Sequence, residues 1–388
     1  MTPTAEALRT EFLLDPDVVF LNHGSFGACP RPVFEAYQAW QREMERQPVQ
    51  FLGYRFGGLM AAARACLADY LGVAPRDLVY VPNATTGVNI VARSLARVLR
   101  PGDEIVTTDH EYGACDRAWR AVCEMTGAAY RRVPIPLPVT SHADVVERVW
   151  SAVGPRTRVL FISHITSPTA LTLPVGALCT RARQAGILSL VDGAHAPGQI
   201  ALNLADVGAD FYTGNCHKWL CAPKGAAFLY ARPEARDRVV PLVVSWGGDS
   251  FLATGDAFID ELEFAGTRDY SPALAVPAAI DFQATRDWPA VRARCHALAR
   301  EARARLIDIP GIRPIHPDDD AWFAQMATVE LPGGSDAWAI KDRLYDDHRV
   351  EIPTIVWDGR PLLRVSIQGY NTPADVEALI AAVGAIVG

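Results

Sequence analysis

Over residues 60–232, runs of apolar residues alternate with amphipathic stretches, and this alternation constrains the fold more than any other feature of the chain. The apolar runs cover 78–81, 104–108, 159–163, 187–191 and 226–230; stretches such as 113–125, 143–153 and 175–185 read as helices. Near-continuous apolar strands separated by helices require a mainly parallel sheet covered on both faces, an α/β architecture. Ligands of such sheets collect at the carboxyl ends of the strands. Asn83, Asp109, His164 and Asp192 all fall at or just beyond such ends.

The pattern changes after residue 250. Helix-like stretches at 273–285 and 291–306 lead to shorter strands near 325–330, 349–355 and 362–367, with further helices near 336–345 and 374–387. We expect an N-terminal arm over residues 1–25 packing on the C-terminal unit, a large cofactor-binding domain over 26–260 and a smaller α+β domain over 261–388. A length of 388 residues agrees with more than one domain.

Composition excludes several functions. Half the residues are hydrophobic and 21% are charged, as in soluble globular proteins. A net charge of -7 with scattered arginines gives no footprint for nucleic acid. No apolar run approaches the ~20 residues that cross a bilayer, and the first residues show no secretory h-region, so a cytoplasmic location is expected. The eight cysteines are dispersed without a CxxC pair, which favours buried thiols over disulfides or a zinc site. No metal is expected.

Lysine is almost absent: Lys218, Lys224 and Lys341 are the only three among 37 Lys and Arg residues. A lysine can lose its proton when desolvated and form an imine, whereas arginine cannot. Lys218 closes the run Thr213-Gly214-Asn215-Cys216-His217-Lys218, and Asp192 ends the run 187–191. An amine and a buried acid at the ends of two strands fit pyridoxal 5'-phosphate (PLP). The lysine would hold the aldehyde and the aspartate would pair with the pyridine nitrogen. Lys224, in Pro223-Lys224-Gly225, reads as a turn lysine and ranks second.

Other segments fit around this pair. Asn83-Ala84-Thr85-Thr86-Gly87 opens a helix after a strand, where free backbone N–H groups can bind phosphate; ordinary N-capping explains it equally well. No GxGxxG or GxxxxGK[ST] motif supports a dinucleotide or P-loop reading. Tyr112, in Asp109-His110-Glu111-Tyr112, could stack on a pyridine ring, and His195 could reach the cofactor's phenolic oxygen. Arg364 lies inside the apolar run Leu362-Leu363-Arg364-Val365. It needs an anionic partner there, either a substrate carboxylate or an acid of the protein itself.

With these motifs, and with Leu21-Asn22-His23-Gly24-Ser25-Phe26-Gly27, Ser163-His164-Ile165-Thr166-Ser167 and Glu263-Phe264-Ala265-Gly266-Thr267, the chain resembles the class V aminotransferase family of fold-type-I PLP enzymes over nearly its whole length. The resemblance implies that Lys218 carries the cofactor, Asp192 pairs with its ring nitrogen and Tyr112 stacks on the ring. It places His195 and His164 near the phenolic oxygen and the substrate. It assigns the phosphate to Ala84, Thr85, Thr86, Asn215 and His217, with Gly266 and Thr267 reaching the phosphate of a neighbouring subunit. It gives Arg364 the substrate α-carboxylate and lines the substrate entrance with Asn22, His23, Gly24 and Ser25. It further implies a homodimer with active sites at the interface, acting on a small amino-acid or peptide-like substrate.

The implied catalytic residues are Lys218, Tyr112 and His164. The implied activity is epimerisation of an amino-acid α-carbon, isopenicillin N to penicillin N, with aminotransfer or C–S/β-elimination as the alternative. The family's desulfurases carry a mobile cysteine shortly before the carboxylate-binding arginine. Here Val350-Glu351-Ile352-Pro353-Thr354 has none, which argues against a persulfide route.

Overall fold

The computed structural model describes residues 2–248 and 253–387. Its largest sheet has seven strands: β1 (Leu78–Val81), β2 (Glu104–Thr108), β3 (Ala129–Val133), β4 (Thr157–Ser163), β5 (Leu188–Asp192), β6 (Phe211–Asn215) and β7 (Ala227–Ala231). Their order across the sheet is β1-β7-β6-β5-β4-β2-β3. β7 runs antiparallel to both neighbours, and the remaining pairs are parallel. β1, β2, β6 and β7 are buried at every residue, as a sheet covered on both faces requires. The sheet is the mainly parallel α/β arrangement expected from the apolar alternation.

β3 was not anticipated. Its sequence Ala-Tyr-Arg-Arg-Val is mostly exposed because it closes one edge of the sheet, where charged residues suit a strand with one open side. Arg131 and Arg132 anchor it to Glu104 (3.1 Å) and Asp116 (3.3 Å). The helices Arg31–Arg46 and Phe56–Leu71 were likewise not anticipated; both pack on Ser271–Leu274 and Val276–Ala284.

A four-stranded antiparallel sheet is built from Arg313–Pro314, Met326–Glu330, Thr354–Trp357 and Arg360–Ser366. The helix Trp288–Ile307 packs against it and against Pro373–Val387. The chain's first segment reaches this region: Val19–Phe20 pairs in parallel with Val350–Glu351, and Glu11 meets Arg286 at 2.6 Å. Among the described residues no helix is long and apolar enough to cross a membrane.

Two tight backbone approaches fix the loop after β6. Gly27 has φ +69°, and a Cβ there would lie 2.0 Å from the His217 carbonyl oxygen and 2.9 Å from Lys218 Cα. Gly198 has φ +86°, and its Cβ would lie 2.3 Å from the Trp219 carbonyl. Gly27→Ala combines left-handed strain with a backbone clash and is expected to cost about 2 kcal/mol or more of unfolding free energy. Gly102→Ala, at φ +87° with open space around it, should cost only about 1 kcal/mol of backbone strain. Urea titration of the two variants checks the difference.

Candidate active site

A cavity of about 370 Å³ lies at the carboxyl ends of β4, β5 and β6, where Ser163, Asp192 and Asn215 end their strands and line it. Helix starts complete the wall. Ala84 opens the helix Ala84–Leu95 after β1 with Asn83 as its N-cap, and Tyr112 precedes the helix Gly113–Thr126 after β2.

Asp192 is 3% exposed. Its Oδ1 accepts the Ala194 N–H at 3.0 Å, and its Oδ2 accepts the Cys115 thiol at 3.3 Å. No cation lies within ion-pairing distance of it among the described residues. Burial raises its pKa above the ordinary carboxylate range, partly offset by the two hydrogen bonds and the charge of Lys218. A buried carboxylate of this kind is costly until it meets a positive N–H. A pyridinium nitrogen at the cavity floor supplies one, so the site fits PLP.

Lys218 lines the same cavity. Burial lowers its amine to about 7, with the Arg364 charge pushing the same way and Asp192 opposing. Its Nζ lies 3.1 Å from His195 Nε2. The Nδ1 of His195 accepts the Trp219 indole N–H at 3.4 Å, so the imidazole proton belongs on Nε2 and points at the lysine nitrogen. Burial drives His195 well below the usual imidazole range, with Lys218 adding to the effect. A neutral imidazole donating to a neutral amine is the consistent assignment. His23, buried behind the loop, holds the Lys218 carbonyl through Nε2 at 3.0 Å.

The phosphate-side residues separate into two groups. The Asn215 Oδ1 accepts the Ala84 N–H at 2.9 Å, leaving its amide N–H₂ to the cavity. Thr85 lines the cavity, and its N–H has no acceptor among the described residues. His217 donates from Nδ1 to the Ala226 carbonyl at 3.3 Å and is lowered to about 4 by burial, then by Lys218. Thr86 differs from expectation: its N–H and hydroxyl both bond to Asn83 Oδ1 (2.8 and 3.1 Å), so capping consumes it and it does not line the cavity. Gly266 and the exposed Thr267 lie outside this cavity altogether.

Arg364 is 3% exposed and has no acidic partner among the described residues, which removes the protein ion pair left open by sequence. Its Nη1 donates to the Ser167 carbonyl (2.5 Å) and its Nη2 to Ser25 Oγ (3.2 Å), while Nε is unpaired. Burial lowers it to about 10. Ser25 and Ser167 line the cavity, so the guanidinium stands directly behind its wall.

Two further groups of expected site residues lie elsewhere in the structure. His164 does not face the cavity. Residues 163, 165 and 167 line it, and by the two-residue alternation His164 points to the opposite face, where Nδ1 meets Tyr212 Oη at 2.9 Å in a separate cleft. Of Asn22–Ser25, only Ser25 reaches the cavity. Asn22 bonds Glu351 (2.7 Å), His23 is enclosed by Tyr370 and Trp219, and Gly24 packs under Met326. Tyr112, 46% exposed, does line the cavity. Sequence reasoning missed Ser163 and Cys115. Strand parity would have found Ser163, whereas the Cys115 contact to Asp192 has no sequence signature. Lys224 also lines the cavity and donates to the Gly27 carbonyl at 3.1 Å.

The family model described as Aminotransferase class-V matches residues 20–379. The isopenicillin N epimerase of Amycolatopsis lactamdurans is 40% identical over 98% of this chain and 98% of its own. A probable chloroplastic L-cysteine desulfhydrase of Arabidopsis thaliana is 30% identical over 96% of this chain and 84% of its own length. The crystal structure of the Escherichia coli cysteine desulfurase CsdA superposes with a TM-score of 0.83 at 24% identity, covering 99% of this chain and 98% of that one.

Only an uncharged amine attacks an aldehyde. With Lys218 lowered to about 7, the rate at which added PLP loads the apoprotein should climb as pH rises through that value. It should fall to roughly a tenth of its plateau one unit below. Stopped-flow absorbance of the developing visible band checks this, and Lys218→Ala should develop no such band.

Proposed function

The chain belongs to the aminotransferase class-V family and uses PLP, and from that premise we propose that it is an epimerase inverting an amino-acid α-carbon, with isopenicillin N as the substrate. The observation that carries the chemistry is the convergence of Lys218 and Asp192 on one cavity, backed by an arginine with no acid of its own. The full-length likeness to an isopenicillin N epimerase supports the choice of reaction and substrate.

Bound PLP supplies an aldehyde for the substrate amine and a ring that withdraws electrons from the α-carbon. Asp192 holds the proton on the ring nitrogen. Asn215, His217 and the free Thr85 N–H hold the phosphate at a helix start. Arg364 takes the substrate carboxylate in exchange for its serine contacts and so orients the α-carbon. Lys218, whose amine is lowered to about 7 and so loses its proton readily, removes or returns the α-proton on one face. Epimerisation needs a second group for the other face. Tyr112, which reaches the cavity from a different strand end, takes that part in this reading, since it lines the cavity and His164 does not. In this reading two copies associate. The exposed turn at Gly266 and Thr267 then completes the neighbour's phosphate site, and the 74% exposed Phe26 at the cavity rim is covered.

C–S elimination is the second reading, supported by the 30% identical desulfhydrase relative. A persulfide route is disfavoured because no cysteine among the described residues lines the cavity.

The test is incubation of holoenzyme with isopenicillin N and, separately, with L-cysteine. Inversion of the side-chain stereocentre without keto acid is expected, and it should vanish in Lys218→Ala. Arg364→Ala should raise KM about tenfold or more through loss of a bidentate contact. Sulfide and pyruvate from cysteine, with isopenicillin N untouched, would overturn the epimerase reading in favour of the lyase.

A further inference from the structure

One buried acid beneath the cavity takes no part in the chemistry above. Glu111 occupies the turn between β2 and the helix Gly113–Thr126 and is 5% exposed. Its Oε1 lies 2.6 Å from Thr108 Oγ1 and its Oε2 lies 2.6 Å from Ser163 Oγ. No Arg, Lys or His lies within ion-pairing distance of it among the described residues. The titratable groups that face it are Asp192 on β5, Asp116 and Cys115 on the following helix, and Tyr130 on β3. None of these brings a positive charge. Asp116 is itself engaged by Tyr130 at 2.6 Å and by Arg132.

Ser163 connects this acid to the cavity. It lines the cavity, and in the parallel register of β4 and β5 it stands beside Asp192. Register continues the row to Thr213 on β6. Adjacent strands lie about 4.8 Å apart, so the Ser163 hydroxyl and the Asp192 carboxylate share one floor.

We propose that Glu111 is a positioning residue: it remains a neutral carboxylic acid, fixes the Ser163 hydroxyl beside Asp192, and leaves Asp192 as the sole negative charge beneath the cofactor ring. This rests on the cavity being the PLP site. An ionised carboxylate here would have two hydroxyl partners and no cation. Two neutral hydrogen bonds do not offset the desolvation of a lone charge, and a second anion would repel Asp192. Burial accordingly lifts Glu111 to about 8; the two hydroxyls oppose the rise, and Asp192 and Asp116 add to it. A neutral acid has one O–H. It can donate to one hydroxyl and accept from the other, which imposes a direction on the Thr108–Glu111–Ser163 chain. With the proton on Oε2, Ser163 accepts and its own O–H is free to point into the cavity.

The experiment uses PLP-loaded protein and two readouts, the pH midpoint of the visible absorption band and the rate of cofactor loss on gel filtration. Glu111→Gln exchanges one neutral donor–acceptor for another, so the midpoint should stay within about 0.3 unit of the parent. Glu111→Leu and Ser163→Ala should each release cofactor about tenfold faster, and the double variant should be no worse than Glu111→Leu. A midpoint moved by about one unit or more in Glu111→Gln marks the loss of a negative charge and overturns the proposal. Unchanged cofactor retention in folded Glu111→Leu overturns it as well. Should Glu111→Leu fail to fold, the Glu111→Gln midpoint alone decides. Absence of any visible band in the parent protein would instead overturn the cofactor site itself, and the proposal with it.

Discussion

A buried carboxylate without a cation sets the terms for the whole structure. Asp192 ends β5 in the middle of a seven-stranded sheet, satisfied only by one backbone N–H and one thiol. Such a group is tolerable when something positive arrives at the cavity floor. The sheet delivers the other parts to the same point because parallel strands place all their carboxyl ends on one side. Lys218 follows β6, Tyr112 follows β2 and the phosphate-side helix follows β1.

The charges around this acid are arranged by burial more than by pairing. Lys218, His195 and His217 are all pushed toward their neutral forms, each with desolvation as the leading cause. Arg364 keeps its charge but has only serine partners. The protein therefore presents unspent interactions: a carboxylate seeking a cation, a guanidinium seeking a carboxylate and an amine without its proton. PLP supplies a cation for the first of these, and the amino-acid substrate proposed above would supply a carboxylate for the second.

Much of the sheet was legible in the sequence because strands buried on both faces are mostly apolar, as in β1 and β7. β3 was not, since two arginines at an open edge read as loop. The Lys218 and Asp192 pair stood out through chemistry: lysine is scarce here and acids rarely end apolar runs. What the sequence does not show is direction. Ser163 and His164 are adjacent, and only strand parity decides which one faces the cavity. Asn22, His23 and Gly24 belong to the same short segment as Ser25, yet tertiary contacts to Glu351, Tyr370 and Met326 hold them away from the cavity. The serine contacts of Arg364 depend on loops distant in sequence, which no local pattern encodes.

The central claim is that Lys218, and not Lys224, carries the cofactor, although both line the cavity. Borohydride reduction of PLP-loaded protein, followed by peptide mapping by mass spectrometry, addresses it directly. The account predicts a pyridoxyl adduct on Lys218 alone. An adduct on Lys224 or Lys341, with Lys218 unmodified, would contradict it.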